Sequence, residues 1–380
     1  KRTPQYSSLS LVTGEGLLTA DTAAWRPQRA LVQPAFHRST LDLVAVHVAD
    51  AVERLLGTWR YLDGHVVDVD AGMMHLALEV VGESLFGADL SGEADRLARA
   101  TLDALDVVVK KARSPIQVPL SVPTPTNVVL RRAVGRLDAT VDAMLAERAT
   151  RPLGADEPPR DMLDLLLATH SDDGSALSRA QVRDQVVTFI VAGHETTANT
   201  LNCAWYLLSQ HPQVEAKMHA EIDSMPEEPA PGLARMEELG YAKSIIDETL
   251  RLYPPVWVFS RRAIDADVLS GFDLPAGTDL LLSPYHLHRH PRYWKDPEGF
   301  HPERFDAAHE AERPRFAYMP FSAGPRHCIG ETFSVYEMLI HLSKVGRRYR
   351  LRLEHEGPVE FEAQVNLRTR HPLHMRLEPR

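Results

Sequence analysis

Cysteine is nearly absent: the 380-residue chain holds two, Cys203 and Cys328. That excludes a disulfide framework and fits a reducing compartment in which a thiol is kept for chemistry. Long apolar runs are also missing. No stretch approaches the roughly 20 apolar residues of a membrane span. Basic residues do not predominate. With 42 Lys and Arg against 52 Asp and Glu, the net charge is −10, which argues against nucleic acid as the main partner. There is no internal repeat and no flavin or iron–sulfur motif. The first residue is Lys1 rather than Met, and Lys1–Thr19 reads like the interior of a domain, so an upstream portion is expected to be missing. What is present is ordinary for a globular enzyme, 44% hydrophobic and 25% charged. The length suits one large domain or two ordinary ones.

Periodicity predicts a mainly helical chain with about two small sheets. Residues 1–20 read as a loop. Helical patterns follow from Asp21 to about Ala35, with Asp21 or Thr22 as N-cap, and over Leu41–Leu62, with Leu43, Val46, Ala49, Val52 and Leu56 at helical spacing. Met73–Phe86, Ala94–Lys111 and Val128–Arg148 continue the pattern. The prolines of Ser114–Asn127 make an extended connector, and Arg151–Arg160 a loop. The longest helix starts at a capping-box spacing, Ser178 with Gln181, and runs to Gln210, stopping before Pro212. It is apolar nearly all round and should be buried. Its middle, however, carries Gly193, His194, Glu195, Thr196, Thr197 and Asn199. Pro226–Pro231 is a loop, Glu237–Leu252 a helix ended by Pro254-Pro255, and Val256–Leu282 a set of short strands. Pro291–Pro314 lacks periodicity, Glu331–Arg348 is a helix, and Leu351–Arg380 alternates like a hairpin.

Four constellations carry chemistry. Phe321-Ser-Ala-Gly324-Pro-Arg326-His-Cys328-Ile-Gly330 delivers one thiol to the start of an apolar helix. Backbone N–H groups and the helix dipole there favour a thiolate, and Gly324 and Gly330 let the backbone approach a flat cofactor. A buried structural cysteine is the alternative; for a nucleophile, no separate base and orienting group stand out. Glu248 and Arg251 share a helix face at i, i+3 and can pair, although such pairs also occur on solvated surfaces. Ala192-Gly193-His194-Glu195-Thr196-Thr197 begins like His-Glu-x-x-His, but the fifth position is Ala198, so the zinc-protease reading fails. A mid-helix Gly costs about 1 kcal/mol against Ala, which a bound group or a simple polar kink must account for. Trp25 and Arg29, at i and i+4, offer an indole N–H and a guanidinium on one face. His286, His288 and His290 alternate but lack a carboxylate or thiol spaced with them, and Cys203 reads as core.

The Phe-x-x-Gly-x-Arg-x-Cys-x-Gly segment resembles the cysteine loop of the cytochrome P-450 superfamily of haem-thiolate monooxygenases, matched without a gap. The resemblance implies that family's fold over residues 1–380 as a single domain, mainly helical with small sheets and N-terminally incomplete. A long central helix would lie over the haem, with the cysteine loop on the opposite face. It implies heme b with its iron ligated by Cys328, O2 as co-substrate lying over the helix, and Ala192 and Gly193 among the cofactor-binding residues. Glu195 and Thr196 would be the acid–alcohol pair that relays protons. Trp25, Arg29, Arg262 and Arg326 would hold the haem propionates, with Arg261 the neighbour that points elsewhere. Phe321, Gly324 and Gly330 would shape the loop, and Glu248, Arg251 and Arg304 would form a structural brace. The substrate pocket is expected at Leu18, Phe189, Ala192, Val256, Trp257, Val258 and Leu367. The resemblance implies insertion of one oxygen atom into a C–H or C=C bond, and the apolar pocket a hydrophobic substrate, terpenoid, carotenoid or fatty acid, with terpenoid slightly favoured because no cationic anchor for a carboxylate is evident. Electrons would come ultimately from NAD(P)H through a separate ferredoxin or flavodoxin, docked on Arg26, Arg29, Arg313 and Arg315, in the cytoplasm. The alternative is a haem-thiolate peroxygenase or isomerase that needs no external electrons.

Overall fold

In the computed structural model, residues 3–116, 118–154, 157–168, 177–227, 232–310, 313–355 and 357–380 are described. Parts of the expected loops at Arg151–Arg160 and Pro226–Pro231 lie outside these. In chain order the first helices are α1 (Pro4–Thr13), α2 (Thr22–Val32) and α3 (Arg38–Trp59). Strand β1 (Val66–Asp68) leads into α4 (Val69–Phe86), α5 (Ala94–Arg113), α6 (Pro125–Thr150) and α7 (Met162–Ala168). The middle of the chain forms α8 (Arg179–Gln210), α9 (Pro212–Ser224), α10 (Leu233–Glu238) and α11 (Gly240–Leu252). Strands β2 (Phe259–Arg262), β3 (Asp267–Leu269), β4 (Phe272–Leu274) and β5 (Asp279–Leu282) come next. The short helices α12 (Pro284–Leu287) and α13 (Ala307–Glu310) precede α14 (Glu331–Arg348), and β6 (Tyr349–Leu353), β7 (Phe361–Ala363), β8 (Leu367–Thr369) and β9 (His374–Pro379) close the chain.

The architecture is mainly helical, as the periodicity predicts, and is organised by α8. Ser178 Oγ accepts from Gln181 N while the Gln181 side chain accepts from Ser178 N, a complete capping box. The helix is buried along most of its length, with α4 packed against it on one side and α14 and α11 on another. Trp205 is fully buried and donates its indole N–H to His341 Nε2 at 2.9 Å, tying α8 to α14. Burying one such aromatic contributes roughly 1.5–3 kcal/mol.

Three features differ from the sequence expectation. Residues 4–13 form a helix, not a loop. Pro4 occupies its first turn, and Tyr6, Leu9 and Val12 at helical spacing pack against α5 and α8. On α3, Leu43 and Val46 are exposed, and the core face is instead Leu41, Val44, Val48, Ala49, Val52 and Leu56. Among the described residues the sheets number four: a three-stranded one ordered β1-β9-β6 and three two-stranded pairs, all antiparallel. The tail is therefore not one hairpin. Its outer strands enter the three-stranded sheet, while β7 and β8 form a separate ribbon over α8.

Candidate active site

A cavity of about 290 Å³ lies between α8 and the loop before α14. Cys328 opens into it from the loop side, while Ala192, Gly193 and Thr196 form the wall on α8. The rest of the lining is mostly apolar, drawn from α4 and α5 (Val81, Leu85, Leu105), from Phe189, and from the Val256–Val258 segment.

The loop is built to hold the sulfur in place. Gly324 has φ +76°, a left-handed conformation that a side chain would strain, and it starts a single 3-10 turn. Cys328 N donates to Phe321 O at 3.0 Å and His327 N to Gly324 O at 3.0 Å, which closes the loop before α14 begins. Arg29 Nη1 donates to His327 O at 2.9 Å. Cys328 is open to the cavity but enclosed by the protein around it; that enclosure, and next the Glu331 carboxylate, push its thiol up, whereas the Gly330 N–H, the Arg29 guanidinium and the Glu331 N–H favour the thiolate. Gly330 stands on the cavity wall and Gly324 does not.

Arginines mark one rim of the cavity. Arg326 and Arg261 both line it, and burial, then the neighbouring Arg261 guanidinium, disfavour the charge on Arg326. Arg326 Nη1 donates to Ala20 O at 2.9 Å, its guanidinium lies 4.8 Å from the centre of the Trp25 ring, and Nη2 is buried without a partner. Two cations on one rim, one of them with an orphaned donor, fit a dianionic edge, such as the two propionates of a haem. The expected Arg262 is turned the other way. It makes two hydrogen bonds of 2.7 Å to Asp279 on the exposed face of the β2–β5 pair. Strand alternation decides this, because Phe259 and Arg261 share the inner face. Trp25 and Arg29 do not reach the cavity; they carry Arg326 and the loop instead.

Alternation also corrects the pocket. Leu18, Phe189, Ala192, Val256 and Val258 line it. Trp257 points away and donates to Gln364 O at 3.0 Å, and Leu367 turns inward to the core while Val365 and Asn366 face the cavity. On α8, Thr196 lines the cavity and its Oγ1 donates to Ala192 O at 2.7 Å. Gly193 has a packing reason as well, since a Cβ there would lie 2.8 Å from Val81 Cγ2. Glu195 is fully buried and takes a hydrogen bond of 2.7 Å from Asn366 Nδ2. Burial raises its carboxyl to about 7, against the lowering effects of Asn366 and then Arg368. His194 is buried, held by Ile190 O, and lowered to about 4 by desolvation. Asn366 carries no motif, and sequence reasoning missed it.

Behind the loop, Glu248 and Arg251 form two hydrogen bonds of 2.6 and 2.9 Å with both side chains fully buried. Arg251 also donates to the carbonyls of His288, Pro297 and Gly299, and Arg304 adds a contact of 3.3 Å to Glu248. The three residues of the expected brace thus meet. The histidines do not share a face: His288 is buried and accepts from Met319 N, whereas His286 contacts Ser283. Of the expected basic dock, Arg26 and Arg315 are exposed, but Arg29 is spent on His327 O and Arg313 lies 4.2 Å over the Phe305 ring and donates to Arg304 O.

A thiol facing a long helix across an apolar cavity, with arginines on the rim, is the arrangement of a haem-thiolate protein, and the family model for cytochrome P-450 matches residues 1–376. The chain belongs to the cytochrome P-450 family. It is 39% identical over 331 residues to cyclooctat-9-en-7-ol 5-monooxygenase of Streptomyces melanosporofaciens, covering 86% of this chain and 70% of that protein. Identity to pentalenene oxygenase of Streptomyces avermitilis is 32%, over 98% of this chain and 81% of the relative. The crystal structure of the cytochrome P-450DA heme domain superposes with a TM-score of 0.87 at 25% identity, covering 99% of this chain and 82% of that one. Membership makes the chain an oxidoreductase of a monooxygenase family whose iron is held by a cysteine of the protein. Among the described residues no helix is long and apolar enough to cross a membrane.

Proposed function

We propose that this chain hydroxylates an apolar terpenoid, using haem ligated by Cys328 and electrons from a separate protein. The observation that carries the reading is Cys328 opening into an apolar cavity whose opposite wall is the Gly193–Thr196 turn of α8. Haem bound at that thiolate supplies activation of O2 and transfer of one oxygen atom into a C–H bond. The side chains of this protein do the rest. Arg326 and Arg261 would hold the propionates. The N–H groups of Gly330 and Glu331 stabilise the thiolate. Val81, Leu85, Leu105, Phe189, Val256 and Val258 exclude water and place the substrate by shape. Thr196 presents a hydroxyl to the cavity, and Glu195 behind it holds a proton near neutral pH.

Terpenoid is preferred over fatty acid because the cations lining the cavity, Arg261 and Arg326, belong to the haem edge, which leaves no separate anchor for a substrate carboxylate. Two relatives are named for oxidation of such compounds, which supports the same reading. The redox partner is an acidic ferredoxin or flavodoxin that meets Arg26 and Arg315 on the loop side. A panel of cyclic terpenes and fatty acids, scored by the spin-state shift each induces in the Soret band, tests the substrate class. Shifts confined to terpenes support it; shifts confined to fatty acids overturn it.

A further inference from the structure

We propose that Asn366, with Arg368 behind it, is a positioning pair for Glu195, holding its carboxyl where the cavity meets a charged seam that leads out between α5 and the β7–β8 ribbon. The inference rests on the haem reading above, since it gives Glu195 a task, and it adds residues to which no motif points.

The geometry is continuous. Asn366 is buried, lines the cavity, and gives one amide hydrogen to Glu195 Oε2 at 2.7 Å. Gln364 N donates to Asn366 O at 3.0 Å in the turn joining β7 to β8, which fixes the Asn366 backbone over α8. Arg368 lies two residues further, on the same side of β8, and links outward to Asp106 of α5 at 3.0 Å and to Glu362 of β7 at 2.7 Å. Asp106 is 37% exposed and so meets solvent. The charged groups that act on Glu195 come from three elements: Arg368 from β8 lowers its proton affinity, and Asp106 from α5 and Asp70 from α4 raise it. Asn202 Nδ2 holds Asp70 at 2.6 Å, so that carboxylate is fixed too. On the same face of α8 as Glu195, one turn on, Asn199 keeps a buried Nδ2 with no partner.

Glu195 thus lies just behind the cavity wall, joined to it by an amide that itself faces the cavity. A fully buried carboxyl without such a partner would lose its reason to ionise near neutrality. An amide at position 366 supplies that partner without adding a charge, and Arg368 supplies a distant positive charge that is already balanced at the surface. The pair therefore tunes Glu195 without competing for the propionates bound by Arg326 and Arg261.

The test is an infrared difference titration of the haem-loaded protein, with Glu195→Gln identifying the carboxyl band. The unaltered protein should show a midpoint near pH 7. Asn366→Leu and Arg368→Met should each move it up by about one unit, and Asp106→Asn should move it down. Opposite signs from two partners in one ion pair are not what a general loosening of the fold would give. If the first two variants do not fold, Asp106→Asn, at a surface site, decides alone: a downward shift supports the proposal and no shift overturns it. Coincident midpoints in all four proteins, or no carboxyl band lost in Glu195→Gln, also overturn it. The reduced carbon-monoxide spectrum of the same samples separates the two levels. Absence of a thiolate-type band in the unaltered protein contradicts the haem reading, whatever the infrared midpoints do.

Discussion

Arg251 and Glu248 form a bidentate ion pair with both side chains fully buried, and three loop carbonyls take up the remaining donors of the arginine. The pair stands between α11 and the irregular segment that leads into the cysteine loop, so a helix surface is converted into a mould for a stretch with little regular structure. Removing one partner leaves an uncompensated charge inside the protein. Glu248→Gln is expected to weaken the fold by about 3–5 kcal/mol. Arg251→Lys should also destabilise, because an ammonium cannot reach the three carbonyls and both carboxylate oxygens together. Urea unfolding midpoints of the two variants check this; midpoints equal to the unaltered chain would remove the brace.

Haem retention should separate the two neighbouring arginines of β2. Arg261→Ala and Arg326→Ala each remove a donor from the cavity rim, and each should weaken haem binding about tenfold or more, the range of a charge-assisted hydrogen bond. Arg262→Ala removes only the exposed pair with Asp279 and should leave binding unchanged. Competition for haem by an apo-globin acceptor measures all three. A loss at position 262 with none at 261 would reverse the assignment.

Burial raises the Glu195 carboxyl to about 7. It is protonated below that pH and ionised above it, so a step that needs its proton should slow as the pH rises through about 7. Glu195→Gln should lower turnover about a hundredfold, within the range for a general acid, and should abolish this limb of the pH profile. A glutamine variant that keeps the limb assigns it to another group.

Trp205 donates to His341 Nε2, so the folded state needs that ring neutral, and burial depresses its pKa to about 3. The unfolded chain binds a proton near 6.5 that the folded one refuses. The stabilisation is therefore complete above about pH 6.5 and is lost as the pH falls from there towards 3, at about 1.4 kcal/mol per pH unit. His341→Gln, which can still accept from the indole, should reduce the acid slope of stability by about one proton. An unchanged slope in denaturant titrations between these pH values would contradict it.

Helices with strong signals were legible in the sequence. The capping box of Ser178 and Gln181 and the stop at Pro212 located α8, and the glycine-bracketed thiol located the start of α14. The polar helix α1 was not legible, because its three-residue apolar face is visible only once α5 and α8 are there to receive it. Side-chain direction on short strands was the other limit. A slip of one residue moves a side chain to the opposite face, which is why Arg261 rather than Arg262, Val256 and Val258 rather than Trp257, and Asn366 rather than Leu367 face the cavity. Asn366 is a lone amide in a turn, and only the tertiary approach of the β7–β8 ribbon to α8 gives it meaning.

The central claim is that Cys328 is the thiolate ligand of a haem in the cavity beneath α8. The most direct measurement is the optical spectrum of the reduced, carbon-monoxide-bound protein, with Cys328→His alongside. A red-shifted thiolate-type Soret band in the unaltered protein, replaced by an imidazole-type band in the variant, is the expected result. A haem-loaded protein with no thiolate-type band, or one whose band survives the Cys328→His change, would contradict it.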